Sequence, residues 1–239
     1  MTQYAQLTKP GGRKVNEDSI SVAEGGGTRL FALADGLGGH SGGDIASQCV
    51  VKEALEVFDQ QPGCDLATVF NTAQDALMEL QQKRGQTSTM KSTLVLLALD
   101  DKTARCGHIG DSRLYVFDGG KVLSRTRDHS VPQMLVMSGE IKEKDIRFHP
   151  DRNRLLRVMG VEWESPRYEL SDLPQPAPGT AYLLCTDGFW EYIDEDAMCK
   201  ELKAAQSPQA WLDAMEKRVL RAGKGHNMDN YSAIAVMVK

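Results

Sequence analysis

The sequence predicts a fold of the α+β class, and two kinds of pattern carry that prediction. Short apolar runs that end at aspartate or glycine are typical of buried strands, and residues 31–34 and 93–99 are clear examples. Two successive stretches with apolar residues three and four positions apart predict amphipathic helices that pack side by side on one surface. The chain of 239 residues suits one large domain or two small ones, and no repeat or convincing boundary divides it.

The predicted strands are short apolar runs bounded by turn residues; they cover residues 19–23, 29–34, 93–99, 105–109, 114–117, 180–186 and 231–238. The predicted helices share an apolar face; they cover residues 46–58, 66–80, 132–138, 194–204 and 208–222. Asp65 suits the N-cap of the second helix, and Asp118-Gly119-Gly120 is typical of a hairpin turn. Charged residues crowd the stretch 128–160, which we interpret as a mobile surface insertion.

Composition excludes several classes of protein. A formal net charge of −5 leaves no basic stripe for a general nucleic-acid binder. The apolar runs are too short to span a bilayer, and the first ten residues lack the apolar core of a signal peptide. The scattered cysteines argue against structural zinc and a disulfide framework and indicate a reduced, cytoplasmic protein; they are Cys49, Cys64, Cys106, Cys185 and Cys199.

Aspartates at predicted strand ends are the candidate functional residues. Asp35-Gly36 alone would be interpreted as a turn, because Asp-Gly is a common hairpin signal. The case for chemistry rests on recurrence of the pattern, and the aspartates concerned are Asp18, Asp35, Asp111, Asp187 and Asp229. If the strands share a sheet or a sandwich, several of these carboxylates meet at one end.

Carboxylates gathered in this way need a counter-charge. Two of them about 4 Å apart repel by about 4 kcal/mol at an effective dielectric constant of about 20, so the cluster must take up protons or bind metal. Oxygen ligands without cysteine or histidine favour Mg²⁺ or Mn²⁺ over zinc, and more than three carboxylates imply at least two ions. Two ions can clamp a displacement at phosphorus, with a bridging water that becomes hydroxide near neutral pH. Arg13 offers the bidentate donor that a phosphate monoester needs.

The order of motifs resembles that of the metal-dependent Ser/Thr protein phosphatases (the PPM, or type 2C, family), in its bacterial branch. The matching motifs are Arg13-x-x-Asn16-Glu17-Asp18, Ala34-Asp-Gly-Leu-Gly-Gly-His40, Gly110-Asp-Ser-Arg113, Asp128-His-Ser130, His149-Pro-Asp-Arg-Asn153, Val158-Met-Gly160, Cys185-Thr-Asp-Gly188 and Asp229-Asn230. Any one of them is weak evidence, whereas many in the same order are strong evidence. One departure is Lys91-Ser92-Thr93, where the family usually has Gly-Thr-Thr.

The resemblance implies a four-layer α-β-β-α sandwich, with two central antiparallel sheets flanked by helix pairs. Residues 1–239 would form a single domain, and residues 128–160 would contain a variable flap that affects substrate choice. The implied reaction is hydrolysis of phosphoserine or phosphothreonine in proteins, by in-line attack of the metal-bridging hydroxide and without a phosphoenzyme. A cysteine-dependent phosphatase is excluded by spacing, since Arg113 lies seven positions after Cys106 rather than six.

The resemblance also assigns roles to site residues. The implied ligands of two or three Mn²⁺ or Mg²⁺ ions are Asp18, Asp35, Gly36 through its carbonyl, Asp111, Asp187 and Asp229. Asp35 would bridge two ions, and Arg13 matches the phosphate-binding arginine. His40 is a candidate proton donor to the leaving oxygen, with a supporting role as the alternative. His129 and Arg113 are interpreted as supports of the site rather than catalytic groups.

The expected protein is therefore a cytoplasmic, monomeric Ser/Thr phosphatase that reverses a bacterial Ser/Thr kinase. Its expected partner is a phosphorylated protein, with no nucleic acid and no membrane. Three alternatives stay open: a catalytically silent module that binds phosphoproteins, a partner-switching phosphatase, and a phosphatase that opposes a kinase controlling type VI secretion.

Overall fold

The computed structural model describes residues 2–38, 42–87 and 89–239. Its strands are β1 Thr2–Lys9, β2 Asp18–Gly25, β3 Thr28–Leu37, β4 Lys91–Ser92, β5 Leu94–Leu99, β6 Ala104–Ile109, β7 Arg113–Asp118, β8 Lys121–Arg125, β9 Glu169–Leu173, β10 Ala181–Cys185 and β11 Tyr231–Val238. Its helices are α1 Gly43–Gln60, α2 Leu66–Arg84, α3 Val131–Met137, a 3₁₀ helix Glu143–Phe148, α4 Asp187–Trp190, α5 Glu195–Ala204 and α6 Pro208–Ala222.

Across the described residues the strands form two antiparallel sheets. One has the order β1-β11-β10-β7-β8, and the other has the order β2-β3-β5-β6-β9 with β4 paired to β3. The sheets pack face to face over a core that includes Phe31 and Leu97 from one and Tyr182 and Ile234 from the other. Helices α1 and α2 cover the outer face of the second sheet, and α5 and α6 cover that of the first. The predicted α-β-β-α sandwich is confirmed.

Strand β3 shows why the central strands read as continuous apolar runs. Phe31 and Leu33 point into the core between the sheets, whereas Leu30 and Ala32 point towards α1 and α2. Because successive side chains of a strand point to opposite faces, a strand covered on both sides must be apolar at every position. All four residues are fully buried.

Several local predictions are confirmed. Helix α6 and strand β11 have the predicted bounds, 208–222 and 231–238. The Asp65 carboxylate accepts a hydrogen bond from the Thr68 backbone N–H at 2.7 Å, as an N-cap does. Asp118 pairs with Lys121 across the β7–β8 hairpin, whose turn glycines have positive φ angles.

Three strands, β1, β4 and β9, were missed, β8 was implied only by the predicted hairpin turn, and one strand end was placed wrongly. The edge strand β9 is exposed over most of its length, so it carries little apolar pattern, and β1 alternates only weakly. The prediction that the strand stops before Asp35 is wrong, because β3 continues to Leu37. Its end pairs with β4, and the Gly36 N–H donates a hydrogen bond to the Glu17 carbonyl.

The charged stretch 128–160, which we call the flap segment, is held at both ends. Asp128 is buried and paired with Arg113, and Met159 exchanges backbone hydrogen bonds with Ser92. The predicted helix is present as α3. The description as a surface insertion therefore fits the middle of the segment, whereas its ends belong to the core.

Two further observations concern the whole chain. All five cysteines are free thiols. Within the described ranges, no helix combines the length and apolar composition that crossing a membrane requires.

Candidate active site

The predicted aspartates meet at one end of the sandwich. A cavity of about 560 Å³ opens there and is lined by Asp35, Asp111, Asp187 and Asp229. Asp18 lies behind them, buried, and interacts electrostatically with Asp187 and Asp229. Arg13 and Gly36 line the same cavity. Of the predicted site residues, His40 lies outside the described residues.

Asp35 is fixed by its backbone. Its N–H donates to Thr93 Oγ1 at 2.9 Å, while its carbonyl accepts hydrogen bonds from Thr93 N–H at 2.9 Å and Ser92 Oγ at 3.0 Å. A role for Ser92 and Thr93 at the site was not predicted from the sequence. The β2–β3 register places Asp18 directly opposite Asp35, an arrangement that like charges disfavour.

Gly36 allows a helix to approach the site. A Cβ atom at this position would lie 2.0 Å from the Gly43 carbonyl oxygen, at the start of α1. Only glycine avoids this overlap, so the Gly36 carbonyl and the Asp35 carboxylate stay beside the N-terminus of α1. The glycine that follows Asp35 therefore has a packing role as well as its predicted role as a ligand.

Asp111 lies on the turn between β6 and β7. The Trp190 indole N–H donates to the Asp111 carbonyl at 3.0 Å. Arg113 lies two residues further on, stacks on the Trp190 ring at 3.4 Å and makes a bidentate ion pair with Asp128. Arg113 is buried and turned away from the cavity, which agrees with its interpretation as a brace of this turn.

Asp187 and Asp229 come from neighbouring strands. Asp187 follows β10 as the first residue of α4, and Asp229 precedes β11. Thr186 links the two strands to the buried Asp18, since its hydroxyl donates to Asp18 Oδ2 at 3.0 Å and accepts from Ser232 N–H. These contacts bring Asp187 and Asp229, at the adjacent ends of the paired strands β10 and β11, close to Asp18 on β2 of the other sheet.

Asn230 ties the arginine loop to the site, a role that the sequence analysis did not assign. Its amide donates to the carbonyls of Pro10 and Val15 and accepts from the Glu17 N–H. Arg13 lies on the loop held in this way, about half exposed, and its guanidinium donates to Asp229 Oδ2 at 2.9 Å. Arg13 is thus at the cavity rim with donors within reach of its interior.

The electrostatics of the cluster favour bound cations. Burial, with added repulsion from Asp187, raises the pKa of Asp18 to about 8. Burial and the charge of Asp229 raise the pKa of Asp187 to about 6, and burial also raises the pKa of Asp35 and Asp111. One oxygen each of Asp18 and Asp187, Oδ1, is buried without a hydrogen-bond partner. Unpartnered carboxylate oxygens in a cluster of hard donors fit Mg²⁺ or Mn²⁺.

The flap segment reaches the cavity. Asn153 and Leu155 line it, and Arg152 pairs with Glu191 at 2.7 Å. Glu191 lies on the turn after α4, near Asp187, and burial raises its pKa to about 7. Sequence reasoning missed Glu191, because a glutamate outside any motif gives no signal.

Sequence comparison adds independent evidence. A model described as protein phosphatase 2C matches residues 12–230 of the chain. The serine/threonine protein phosphatase PstP of Mycobacterium tuberculosis is 29% identical over 230 residues, which are 95% of this chain and 43% of that relative. The chain thus spans less than half the length of this curated relative.

Solved structures share the fold over almost the whole chain. The crystal structure of PstP/Ppp from M. tuberculosis has a TM-score of 0.86 at 28% identity and covers 100% of this chain and 99% of that one. A structure of the PstP catalytic domain in complex with two manganese ions has a TM-score of 0.82 at 27% identity, covering 99% and 97%. PppA, described as a key regulatory component of T6SS in Pseudomonas aeruginosa, has a TM-score of 0.76 at 31% identity, covering 99% and 97%.

Proposed function

Since the chain belongs to the protein phosphatase 2C family, we propose that it hydrolyses phosphoserine and phosphothreonine in proteins, with Mn²⁺ or Mg²⁺ as cofactor. One observation carries the proposal: four aspartates distant in sequence line one cavity with Asp18 buried behind them, and two of the buried carboxylate oxygens lack a hydrogen-bond partner. When bound, divalent cations supply a strong nucleophile from water at neutral pH and offset the charge of the phosphate.

The proposed ligands of two or three ions are Asp18, Asp35, the Gly36 carbonyl, Asp111, Asp187 and Asp229. We assign Asp35 the position between the ions. Burial is the largest cause of its raised pKa, and the charges of the other four aspartates, Asp18, Asp187, Asp111 and Asp229, raise it further. His40 keeps its proposed role as proton donor to the leaving oxygen. Residues 1–239 act as one domain in this proposal, and the flap segment contributes to substrate choice, which the position of Asn153 and Leu155 at the cavity supports.

The setting proposed for this activity is the bacterial cytoplasm, where the chain would act as a monomer against a Ser/Thr kinase. Free cysteines are consistent with a reducing compartment. The 31% identity to PppA favours a role in type VI secretion over a partner-switching pathway. A catalytically silent binding module is disfavoured, because buried, mutually repelling carboxylates would destabilise the folded state of a protein that binds no metal.

The direct test is hydrolysis of a phosphothreonine peptide with Mn²⁺ and with a chelator. We expect chelation to lower the rate at least about 100-fold, about 2.7 kcal/mol of barrier, and added Mn²⁺ to restore it. Phosphate release measures the rate, and circular dichroism confirms that the chelated protein stays folded. Full turnover in the chelator would contradict the proposal.

Arg13 gives a second prediction. Arg13→Ala is expected to lower kcat/KM for the phosphothreonine peptide about 10- to 100-fold, since a hydrogen bond to a charged group contributes about 1.5–3 kcal/mol. The kcat/KM of Arg13→Lys should lie between those of the wild type and Arg13→Ala, because an ammonium group keeps the positive charge but cannot bind phosphate in a bidentate way. Lys52→Ala removes an exposed charge from α1 and serves as the matched control. An unchanged kcat/KM for Arg13→Ala would refute its role at the phosphate.

A further inference from the structure

Two histidines and a glutamate form a second cluster beside Asp111. His108 lies on β6, directly opposite Glu169 on the edge strand β9. The His129 ring stacks on His108 with centroids 4.7 Å apart and planes within 8° of parallel. One ligand atom from each of the three residues lies within 4.8 Å of the others. By distance alone the cluster would suit a transition metal.

The positions of the protons argue against a metal there. The Gly110 N–H donates to His129 Nδ1 at 3.2 Å, so Nδ1 carries the lone pair and Nε2 carries the proton. Nε2 in turn faces Glu169 Oε1 at 3.2 Å, as a donor should. A metal at Nε2 would displace that proton and leave a ring with none, whereas metal-bound histidines normally donate from their other nitrogen. Arg157 lies 3.5 Å from Nε2 and adds a repelling charge.

We propose that His129, held in its Nε2–H tautomer by Gly110 and Glu169 together, is a positioning residue that orients Asp111. Both backbone groups of Gly110 bond to His129, since Gly110 N–H donates to Nδ1 and the Gly110 carbonyl accepts from the His129 N–H at 2.9 Å. Gly110 has a φ of +103°, and it immediately precedes Asp111. The backbone on both sides of the Asp111 side chain is thus fixed, by His129 at Gly110 and by Trp190 at the Asp111 carbonyl.

The surroundings keep the His129 ring neutral, which its acceptor role requires. Burial, followed by the neighbouring His108, lowers the pKa of His129 to about 4. His108 is held in the stack by its own hydrogen bond, from Nε2 to the Arg127 carbonyl at 2.8 Å. Arg157 completes the cluster by pairing with Glu169 at 3.3 Å on the solvent side. The order Glu169, His129, Gly110, Asp111 therefore runs from the surface to the proposed metal centre.

Two substitutions distinguish the two hydrogen bonds of the His129 ring, one with the Gly110 N–H and one with Glu169. His129→Asn places an amide oxygen near the position of Nδ1 and can still accept from Gly110, but it cannot reach Glu169. His129→Gln places its amide near Nε2 and can donate to Glu169, but it leaves the Gly110 N–H without an acceptor. Glutamine resembles histidine more closely in size, so a role in packing alone would favour His129→Gln. Orientation of Asp111 through Gly110 would favour His129→Asn.

The inference rests on the proposed function, and its first readout needs neither metal nor activity. Nitrogen-15 NMR of the histidine rings in the metal-free 239-residue chain is expected to show His129 with its proton on Nε2. Glu169→Ala is expected to introduce a fraction of the other tautomer, because only the Gly110 N–H then favours Nε2–H. A wild-type ring protonated on Nδ1 would overturn the proposal, and a tautomer unaffected by Glu169→Ala would overturn the role given to Glu169.

The second readout is Mn²⁺ binding by calorimetry, with peptide hydrolysis beside it. We expect His129→Gln to lose about 10- to 100-fold in Mn²⁺ affinity or kcat/KM, as substitutions behind metal ligands typically do, and His129→Asn to lose several-fold less. Equal losses, or a larger loss for His129→Asn, would overturn the proposal. A wild-type protein that binds Mn²⁺ but hydrolyses no phosphopeptide would refute the proposed function, while the tautomer and the affinities would still decide the role of His129.

Discussion

Asp35→Asn is expected to lower kcat about 1,000-fold, about 4 kcal/mol of barrier, while leaving the protein folded. Beyond the effect of burial, the charges of all four other aspartates of the cluster raise the pKa of Asp35, so Asp35 interacts with every one of them. An amide keeps the size of the side chain but loses the charge that a shared cation needs. It also retains the backbone bonds to Thr93, which do not involve the side chain.

Asp35→Asn is expected to lower activity but to raise the thermal stability of the metal-free protein. Burial and repulsion raise the pKa of Asp35, so the ionised form is disfavoured in the folded, metal-free protein. A carboxyl group with a raised pKa stabilises the folded state at low pH, and this contribution is lost as the pH rises through that pKa. At neutral pH, removal of the charge should therefore raise the melting temperature of the metal-free protein.

Steady-state kinetics with saturating Mn²⁺ and a phosphothreonine peptide measure the first effect, and thermal unfolding in a chelator measures the second. Asp75→Asn, on the exposed face of α2, is the matched control and should change neither quantity. Turnover like that of the wild type in Asp35→Asn would refute the central role of this carboxylate. A lower melting temperature for Asp35→Asn in the chelator would show that the ionised Asp35 carboxylate stabilises the folded protein even without metal.

How far the sequence predicts the site can be judged from individual residues. Asp187 and Asp229 could be predicted, because each adjoins a buried apolar strand whose ends are visible in the pattern. The position of Asp35 inside β3 could not, since the last residues of that strand pair with β4, a strand of two residues that no local pattern indicates. The local sequence indicates which secondary structure a segment prefers, whereas the end of β3 is set by its pairing with β4, a segment distant in sequence.

Supporting contacts were harder to predict than ligands. Asn230 belongs to a motif that the sequence analysis identified, but its bonds to Pro10 and Val15 join parts of the chain more than 200 positions apart. His129 was interpreted only as a support, because its function depends on which ring nitrogen carries the proton. That choice is made by Gly110 and Glu169, which meet only in the folded chain.

Arg113→Met is expected to lower the free energy of unfolding by about 3–5 kcal/mol, more than the other substitutions proposed here. It leaves the Asp128 carboxylate buried without its bidentate partner. The side chains of Arg113 and Asp128 are 3% and 1% exposed, and two hydrogen bonds of 2.8 and 2.7 Å join them. Arg125 is the nearest remaining cation, at 3.5 Å from Asp128, too far to replace both bonds. For a chain of this length the melting temperature should fall by about 10 °C.

The control is Arg154→Met, which removes one side of an exposed pair with Asp151 and should cost at most about 1 kcal/mol. Arg113→Met/Asp128→Leu completes a double-mutant cycle with the single variants, followed by chemical denaturation. If the buried charge causes the loss, the double variant should be more stable than Arg113→Met, since no charge remains unpaired. Additive losses would instead assign the effect to the stacking of Arg113 on Trp190. In that case Trp190→Phe should reproduce most of it, because a smaller ring without the indole N–H would support neither Arg113 nor the Asp111 carbonyl.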